Sequence, residues 1–187
     1  MKLFLSLILF VTSATSSEAF GVSSSRRELF QQTAFGTAAF FLTPAAHAIE
    51  ACPKGSKNCI VTVWSPPEGT TKKNMALAIR SAIYGYPKNG QEKVDVGGYE
   101  IVQDDLETLG TARVEFKSGV GNFSKFLNGG KPFIDDLTFE INGDHVEVRS
   151  ASRMGDNDFD VNRKRLVFLA NTLRSAGWSV EEPTYYK

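Results

Sequence analysis

The chain has 187 residues, 42% of them hydrophobic, and its 21 Lys and Arg residues are balanced by 21 Asp and Glu residues. This length and composition are typical of a globular protein with one domain. The balanced charge argues against a nucleic-acid-binding groove, which requires a stripe of basic side chains.

Residues 1–19 have the pattern of a signal peptide. Lys2 is followed by an apolar run over residues 3–11, which is too short to span a bilayer. At Ala19 and Phe20 a small residue precedes a phenylalanine. This junction resembles the cleavage point in the bipartite presequences of algae whose secondary plastids are of red-algal origin.

Residues 20–48 have the pattern of a transit peptide followed by a twin-arginine lumenal targeting segment. The first part is rich in Ser and Arg, and Arg26 and Arg27 stand before an apolar stretch of small residues. The stretch ends in a small-x-small cleavage site formed by Ala46 and Ala48.

The order of these presequence pieces predicts delivery to a plastid thylakoid lumen. The mature protein would then be a single domain of residues 49–187. The alternative is a secreted protein that its second apolar run anchors in a membrane. That run is short and is broken at Pro44, so it does not easily span a bilayer.

Two cysteines, Cys52 and Cys59, lie near the start of the mature domain. Their spacing is too wide for a redox Cys-x-x-Cys motif, and two thiols are too few for a typical zinc site. An oxidising lumen favours a disulfide between them, which would stabilise the fold by about 2.5 kcal/mol on the chain-entropy model. Two free thiols remain the alternative.

The first helix is predicted after the Pro-rich and Gly-containing break at residues 66–69. Thr70 or Thr71 can cap the helix, and Gly85 ends it. Its apolar face would consist of Met75, Ala78, Ile79, Ala82 and Ile83. The polar residues 88–98 then predict a loop.

Two strands are predicted next, a short one at residues 99–102 and a half-buried one at residues 108–117. The apolar face of the second strand would consist of Ala112, Val114 and Phe116. The glycine-rich residues 118–131 predict a loop rather than part of the core.

A β-hairpin is predicted around Asn142 and Gly143, because Asn-Gly is the strongest short hairpin signal. A two-residue turn at this dipeptide would place Asp136 opposite Arg149. A longer turn would move the register by two residues and keep the same faces. The apolar residues of the hairpin are Phe133, Leu137, Phe139, Ile141, Val146 and Val148.

The last element is predicted to be a helix that Asp158 or Asp160 caps and Gly177 ends. Its inward face would consist of Asn162, Leu166, Leu169, Ala170 and Leu173. Because most of the strands are locally connected, we expect an α+β fold in a single domain, with helices packed on an antiparallel sheet.

The most specific motif lies between the hairpin and the last helix. Residues 149–155 have the sequence Arg-Ser-Ala-Ser-Arg-Met-Gly, and residues 162–165 have the sequence Asn-Arg-Lys-Arg. Asp158 lies between these two motifs. Together the three features resemble the signature of domain-of-unknown-function family 1499. The resemblance covers most of residues 51–175 and implies no settled chemistry. Asp160 departs from the pattern, because the family usually has glycine there.

The polar residues of this signature are expected to converge at one edge of the sheet. They are Asp136, Arg149, Ser150, Ser152, Arg153, Asp158, Asn162, Arg163 and Arg165. One hypothesis is a structural network of buried, paired groups, with Arg149 on Asp136 as its central pair. Loss of Arg149 would then cost roughly 3–5 kcal/mol. The other hypothesis is an anion or partner site beside a helix N-terminus.

We expect no enzymatic activity and no cofactor or metal. His145 is expected on the polar face of the hairpin, and Asp135 and Asp136 must point to opposite faces of their strand. The sequence has no metal-ligand spacing, phosphate loop or nucleophile elbow.

The favoured function is that of a non-catalytic accessory protein in the thylakoid lumen. It would associate with a membrane protein complex, a photosystem being the expected one, and aid its assembly or maintenance. It would bind no nucleic acid and be at most peripheral to the membrane. The alternative is a small domain that holds a pigment or lipid between sheet and helices. Phenylalanines favour that alternative, unless they simply form the core: Phe116, Phe123, Phe126, Phe133, Phe139 and Phe168.

Overall fold

A computed structural model of the chain describes residues 49–91 and 93–185. The predicted signal peptide, transit peptide and twin-arginine segment, with Arg26, Arg27, Ala46 and Ala48, lie outside the described residues. None of the described helices is long and apolar enough to cross a membrane.

The described residues form six strands and three helices. The strands are β1 (Cys59–Ser65), β2 (Tyr99–Asp105), β3 (Thr111–Lys117), β4 (Ile134–Asn142), β5 (His145–Ser152) and β6 (Ser179–Val180). The helices are α1 (Lys72–Gly85), α2 (Asn122–Leu127) and α3 (Val161–Ser175). The strands build one sheet in the order β2-β3-β4-β5-β1-β6, and every neighbouring pair is antiparallel. The predicted α+β fold is confirmed.

Helices α1 and α3 pack on one face of the sheet, which we call the inner face. Alternation along the strands turns their apolar side chains to this face. The largest fully buried side chains include Trp64, Met75, Ile79, Ile83, Phe116, Leu137, Leu166 and Leu169. The opposite, outer face carries mostly charged side chains and is covered by neither α1 nor α3.

Both long helices begin and end close to their predicted positions. Thr71 caps α1, and its hydroxyl accepts a hydrogen bond from Asn74 N at 3.3 Å. Helix α3 ends two residues before Gly177, whose positive φ of 85° suits the end of a helix. The predicted inward face of α3 is buried throughout.

The hairpin has the second of its two possible registers. Asn142 pairs with His145, so Gly143 is the first central residue of the turn, with a φ of 64°. A type II′ turn requires glycine at this position. Thr138 therefore lies opposite Arg149, and the predicted pairing of Asp136 with Arg149 is wrong.

Other parts of the fold also differ from the prediction, which did not include β1 or β6 and began β3 at residue 108 instead of Thr111. Strand β2 continues to Asp105, past a register shift between Ile101 and Gln103. The predicted loop of residues 118–131 contains the short helix α2. Its sequence lacks an apolar period, and local hydrogen bonds from Ser124 organise it instead.

Cys52 and Cys59 form a disulfide, with their Cα atoms 5.6 Å apart. The bond joins the segment that precedes β1 to the start of that strand. It packs beside Ala151 in a small cluster separate from the main core. The alternative of two free thiols does not hold in this structure.

Candidate functional site

The signature residues are organised around Arg165, whose side chain is completely buried between α3 and the sheet. Its Nε donates to Asp95 Oδ2 at 2.8 Å, and its Nη2 donates to Asp135 Oδ2 at 2.7 Å. The same Nη2 also donates to the second oxygen of Asp95. A buried guanidinium thus lies between two buried carboxylates.

The remaining donors of Arg165 are also used. Its Nη1 donates to Ser150 Oγ at 3.0 Å and to Asn162 Oδ1 at 2.7 Å. All five N–H groups of a guanidinium are then satisfied. The guanidinium carbon also lies 4.3 Å from the centroid of the Phe116 ring, which is a cation–π geometry.

The electrostatics of this centre favour charged Arg165. Burial alone would lower the pKa of Arg165, but the hydrogen bond and charge of Asp95, together with the charge of Asp135, outweigh burial and raise it. The carboxylates of Asp95 and Asp135 therefore share one cation, Arg165, which keeps its proton.

The loop between α1 and β2 holds Asp95 in place. Tyr86 is buried at the end of α1, and its hydroxyl donates to Asp95 Oδ2 at 2.7 Å. Burial, followed by the charge of Asp95, raises the pKa of Tyr86, so the phenol stays a donor. Gly90 allows the loop to close, because a Cβ there would lie 2.0 Å from Val94 O.

Asp158 supports the start of α3. Its Oδ2 accepts a hydrogen bond from Asn162 N at 2.8 Å, and its Oδ1 accepts one from Asp160 N at 3.0 Å. Tyr185 donates its hydroxyl to Asp158 Oδ1 at 2.6 Å. Asp160 occupies the N-cap position but makes no capping bond with its side chain. Asp158 thus satisfies the N–H group of Asn162 in the first turn of the helix.

Asn162 links this helix start to two strands. Its Nδ2 donates to Asn58 O and to Ser152 Oγ, both at 3.1 Å. Its Oδ1 accepts from Ser150 Oγ at 2.5 Å as well as from Arg165. The amide therefore joins the end of β5, the residue before β1 and the centre on Arg165.

Other signature residues lie on the outer face or at the surface. Arg153 donates to both oxygens of Asp136, at 2.7 and 2.8 Å, and also to Glu115. Its side chain is 41% exposed. Arg163 pairs with Asp160, three residues earlier, in a similarly exposed pair.

Arg149 is not the central residue that the sequence predicts. Its Nη2 lies 3.4 Å from Glu50 Oε2, and Glu50 is itself strongly exposed. Its Nε is buried and has no hydrogen-bond partner among the described residues. The side chain belongs to the outer face, because Arg149 alternates with the inward-facing Val148 and Ser150.

The predicted cluster therefore divides in two. Neighbouring residues of a strand point to opposite faces of the sheet, so the strand residues of the cluster are divided between the inner and the outer face. The structure brings together Ser150, Ser152, Asp158, Asn162 and Arg165. It leaves outside this network Asp136, Arg149, Arg153 and Arg163.

Sequence reasoning missed the acidic half of the network. Asp95 lies in a loop without periodicity, and no signal marks it. Asp135 lies on the same apolar face of β4 as Leu137. Its position on that face could have identified it as a buried acid. Arg165 is three residues from Asn162 and therefore on the same helix face. Tyr86 and Tyr185, which donate to Asp95 and Asp158, were also missed.

A surface groove of 680 Å³ adjoins the start of α3. Its lining includes Lys57, Phe159 and Tyr185. Phe159 is 71% exposed and has a φ of 54°, and Asp160 after it has a φ of 71°. Two consecutive left-handed residues other than glycine are a strained turn, of the kind that often occurs at binding sites.

The network itself offers no chemistry to a substrate. Every donor of Arg165 is occupied, so an incoming anion would have to displace Asp95 or Asp135. No group of three or more His, Cys, Asp or Glu side chains that could hold a metal ion occurs in the described part of the chain. The geometry is that of a structural centre that joins helix, loop and sheet.

Comparison with known proteins gives a family and one distant relative. A family model described as "Protein of unknown function (DUF1499)" matches residues 102–173. The chain is 27% identical over 132 residues, or 64% of its length, to an isoleucine–tRNA ligase of Staphylococcus carnosus (strain TM300), and covers 14% of that protein. No solved structure matches the chain. The chain is thus similar to the DUF1499 family over residues 102–173, which include Asp135, Ser150, Asn162 and Arg165.

Proposed function

We propose that the mature chain is a non-catalytic accessory protein of the thylakoid lumen. It binds a protein complex of the photosynthetic membrane, with a photosystem as the first candidate, and serves in the assembly or maintenance of that complex. The location rests on the order of the targeting motifs in residues 1–48. The binding role rests on the surfaces that the fold leaves open.

The observation that carries the binding role is the charge pattern of the outer face. Two rows cross strands β1, β5, β4 and β3. Each row consists of residues that are paired across neighbouring strands. The first row contains Val61, Arg149, Thr138 and Arg113, and the second contains Val63, Glu147, Glu140 and Thr111. The outer face therefore carries a row with two arginines beside a row with two glutamates, of which Glu147 is the more exposed, and exposed valines lie at one end of both rows.

Glu147 is the accessible glutamate of its row, with a side chain that is 32% exposed. Arg113 is the accessible arginine of the neighbouring row, with a side chain that is 44% exposed. Complementary charge rows on a partner would fit such a face, and they would give specificity and orientation.

A pull-down from solubilised thylakoids with the mature protein as bait tests this role. We expect the wild-type protein to recover a membrane complex and Glu147→Lys to lose it. Glu68→Lys is the matched control, because it reverses the same charge on an exposed loop residue. Failure of the wild type to recover any complex, or equal recovery by both variants, would contradict the proposal.

The lumenal location has its own test. N-terminal sequencing of the protein from plastids should give a start near Ile49. A start before Arg26 would contradict delivery to the lumen, whatever the pull-down shows.

A second candidate is a small-ligand-binding domain for a pigment or lipid. The observation that favours it is the 680 Å³ groove lined in part by Lys57, Phe159 and Tyr185. The core aromatics do not line this groove: Phe139 packs 5.9 Å from Trp64, and Phe168 packs 5.1 Å from Tyr86. Pigment or lipid extracted from the purified protein would favour this candidate.

A further inference from the structure

The loop between β3 and β4, residues 118–131, is closed at its base. Ser118 N donates to Phe133 O at 3.0 Å, and Phe133 N donates to Ser118 Oγ at 2.9 Å. The loop leaves the sheet and returns to it at one point. It is therefore an Ω-loop, a compact surface loop whose ends lie close together.

Polar groups fill the inside of this loop. Ser124 is 2% exposed, and its Oγ accepts from Gly121 N at 2.8 Å. Ser124 O accepts from Asn128 N at 2.9 Å, and Asn128 Nδ2 donates to Pro132 O at 3.0 Å. Short polar side chains of the loop thus satisfy several of its own backbone groups.

Apolar side chains occupy the outside of the same loop. Phe126 is 85% exposed, Val120 is 56% exposed and Leu127 is 49% exposed. Val96, which is 44% exposed, lies beside the loop, because a Cβ on Gly119 would be 2.5 Å from its Cγ2. A contiguous group of exposed apolar side chains marks an interaction surface.

The charges around these side chains have one sign. Residues 118–131 contain Lys125 and Lys131 and no Asp or Glu, and both lysines are exposed. The loop therefore carries exposed apolar side chains and exposed lysines together.

We propose that this loop is a membrane anchor that inserts Phe126 and Leu127 into the interfacial region of an anionic lipid bilayer. Lys125 and Lys131 would contact the lipid headgroups. An apolar tip with lysines beside it matches a surface that is apolar inside and negative at its boundary. A few side chains give weak and reversible attachment, which suits a protein that meets its partner at the membrane. The proposal does not depend on the identity of that partner.

Vesicle binding tests the anchor. The domain from Ile49 onward is used, because the buried core of the described residues lies between Ile60 and Trp178. Vesicles of phosphatidylglycerol mixed with phosphatidylcholine are compared with vesicles of phosphatidylcholine alone by co-sedimentation. We expect binding to the anionic vesicles, and weaker binding at high salt because the lysine contribution is screened.

Variants of the loop decide the outcome. Phe126→Ser with Leu127→Ser should weaken binding at least about tenfold, because two apolar side chains lose their burial in lipid. Leu109→Ser is the matched control, because Leu109 is 66% exposed in the turn between β2 and β3. All variants should unfold at the wild-type urea concentration, since none of these side chains is buried.

Three results would overturn the anchor. The first is failure of the wild type to bind anionic vesicles, and the second is equal binding by the double variant and Leu109→Ser. Alternatively, sedimentation could show a self-association that the double variant abolishes without any vesicle binding. The surface would then be an interface between copies of the chain. None of these results bears on whether the outer face binds a complex in the pull-down.

Discussion

Arg165 and Arg153 belong to one sequence signature, and both bind carboxylates, but they lie on opposite faces of the sheet. Arg165 is fully buried on the inner face and has all its donors occupied. Arg153 is 41% exposed on the outer face and forms a two-pronged pair with Asp136. Burial therefore determines which role each of the two arginines has.

The physical difference is the cost of removing one partner. In the interior, loss of a cation leaves carboxylates that neither water nor another cation can satisfy. On the open face, water replaces the lost partner at little cost. The inner arginine is therefore part of the fold, and the outer one is available to the surroundings.

The largest effect is expected from Arg165→Met. This change leaves Asp95 and Asp135 buried without their cation, so the free energy of unfolding should fall by roughly 3–5 kcal/mol. Urea unfolding of the mature domain measures the loss. Arg153→Met is the matched control on the outer face and should cost less than about 1 kcal/mol. A loss below about 1 kcal/mol for Arg165→Met would contradict the expected difference between the buried and the exposed arginine.

A second effect concerns the covalent link beside the outer face. The disulfide of Cys52 and Cys59 packs on Ala151 of β5 and orders the segment that includes Glu50. Replacing both cysteines with serine should lower the free energy of unfolding by about 2.5 kcal/mol. Urea unfolding of the reduced wild type should show a similar loss. Equal stability of the oxidised and reduced proteins would mean that the link adds no constraint.

The smallest effect is expected at the edge between the two faces, where Asp160 pairs with Arg163. The hydrogen bond from Arg163 lowers the pKa of Asp160 below its ordinary value of 3.8. A lowered pKa means that the stabilisation is present at neutral pH and is lost as the pH falls through that pKa. Asp160→Asn should therefore cost under about 1 kcal/mol at neutral pH and nothing in acid. Asparagine also tolerates the left-handed backbone.

Unfolding curves of wild type and Asp160→Asn at neutral pH and at a pH well below the usual range of aspartate would test this edge pair. A stability difference that persists unchanged in acid would show that the carboxylate charge is not its cause.

Much of the fold follows from local sequence signals. Period-two alternation in residues 111–117 and the Asn-Gly dipeptide located β3 and the hairpin, and helical spacing located the buried face of α3. The register was ambiguous by two residues because the turn could consist of Asn142 and Gly143 alone or be longer. The structure pairs Asn142 with His145 and so has a two-residue turn that begins at Gly143, which the sequence-based prediction did not include.

The candidate site was less predictable, because its acidic half comes from a distant part of the chain. Asp95 lies 70 positions before Arg165 in the sequence and sits in an aperiodic loop. Local pattern carries no information about such a partner. Arg149 was given the central role because one possible hairpin register places Asp136 opposite it, but Thr138 lies there instead and the partner of Arg149 is the exposed Glu50. The error in the register therefore carried over to the predicted pair.

The most direct measurement of the difference between the two faces is a pair of double-mutant cycles by urea unfolding. One cycle combines Arg165→Met with Asp95→Asn, and the other combines Arg153→Met with Asp136→Asn. The inner pair should show a coupling of about 2 kcal/mol or more, and the outer pair one below about 1 kcal/mol. Couplings of equal size, or a larger coupling for the outer pair, would contradict the division of the signature into a buried structural centre and an open face.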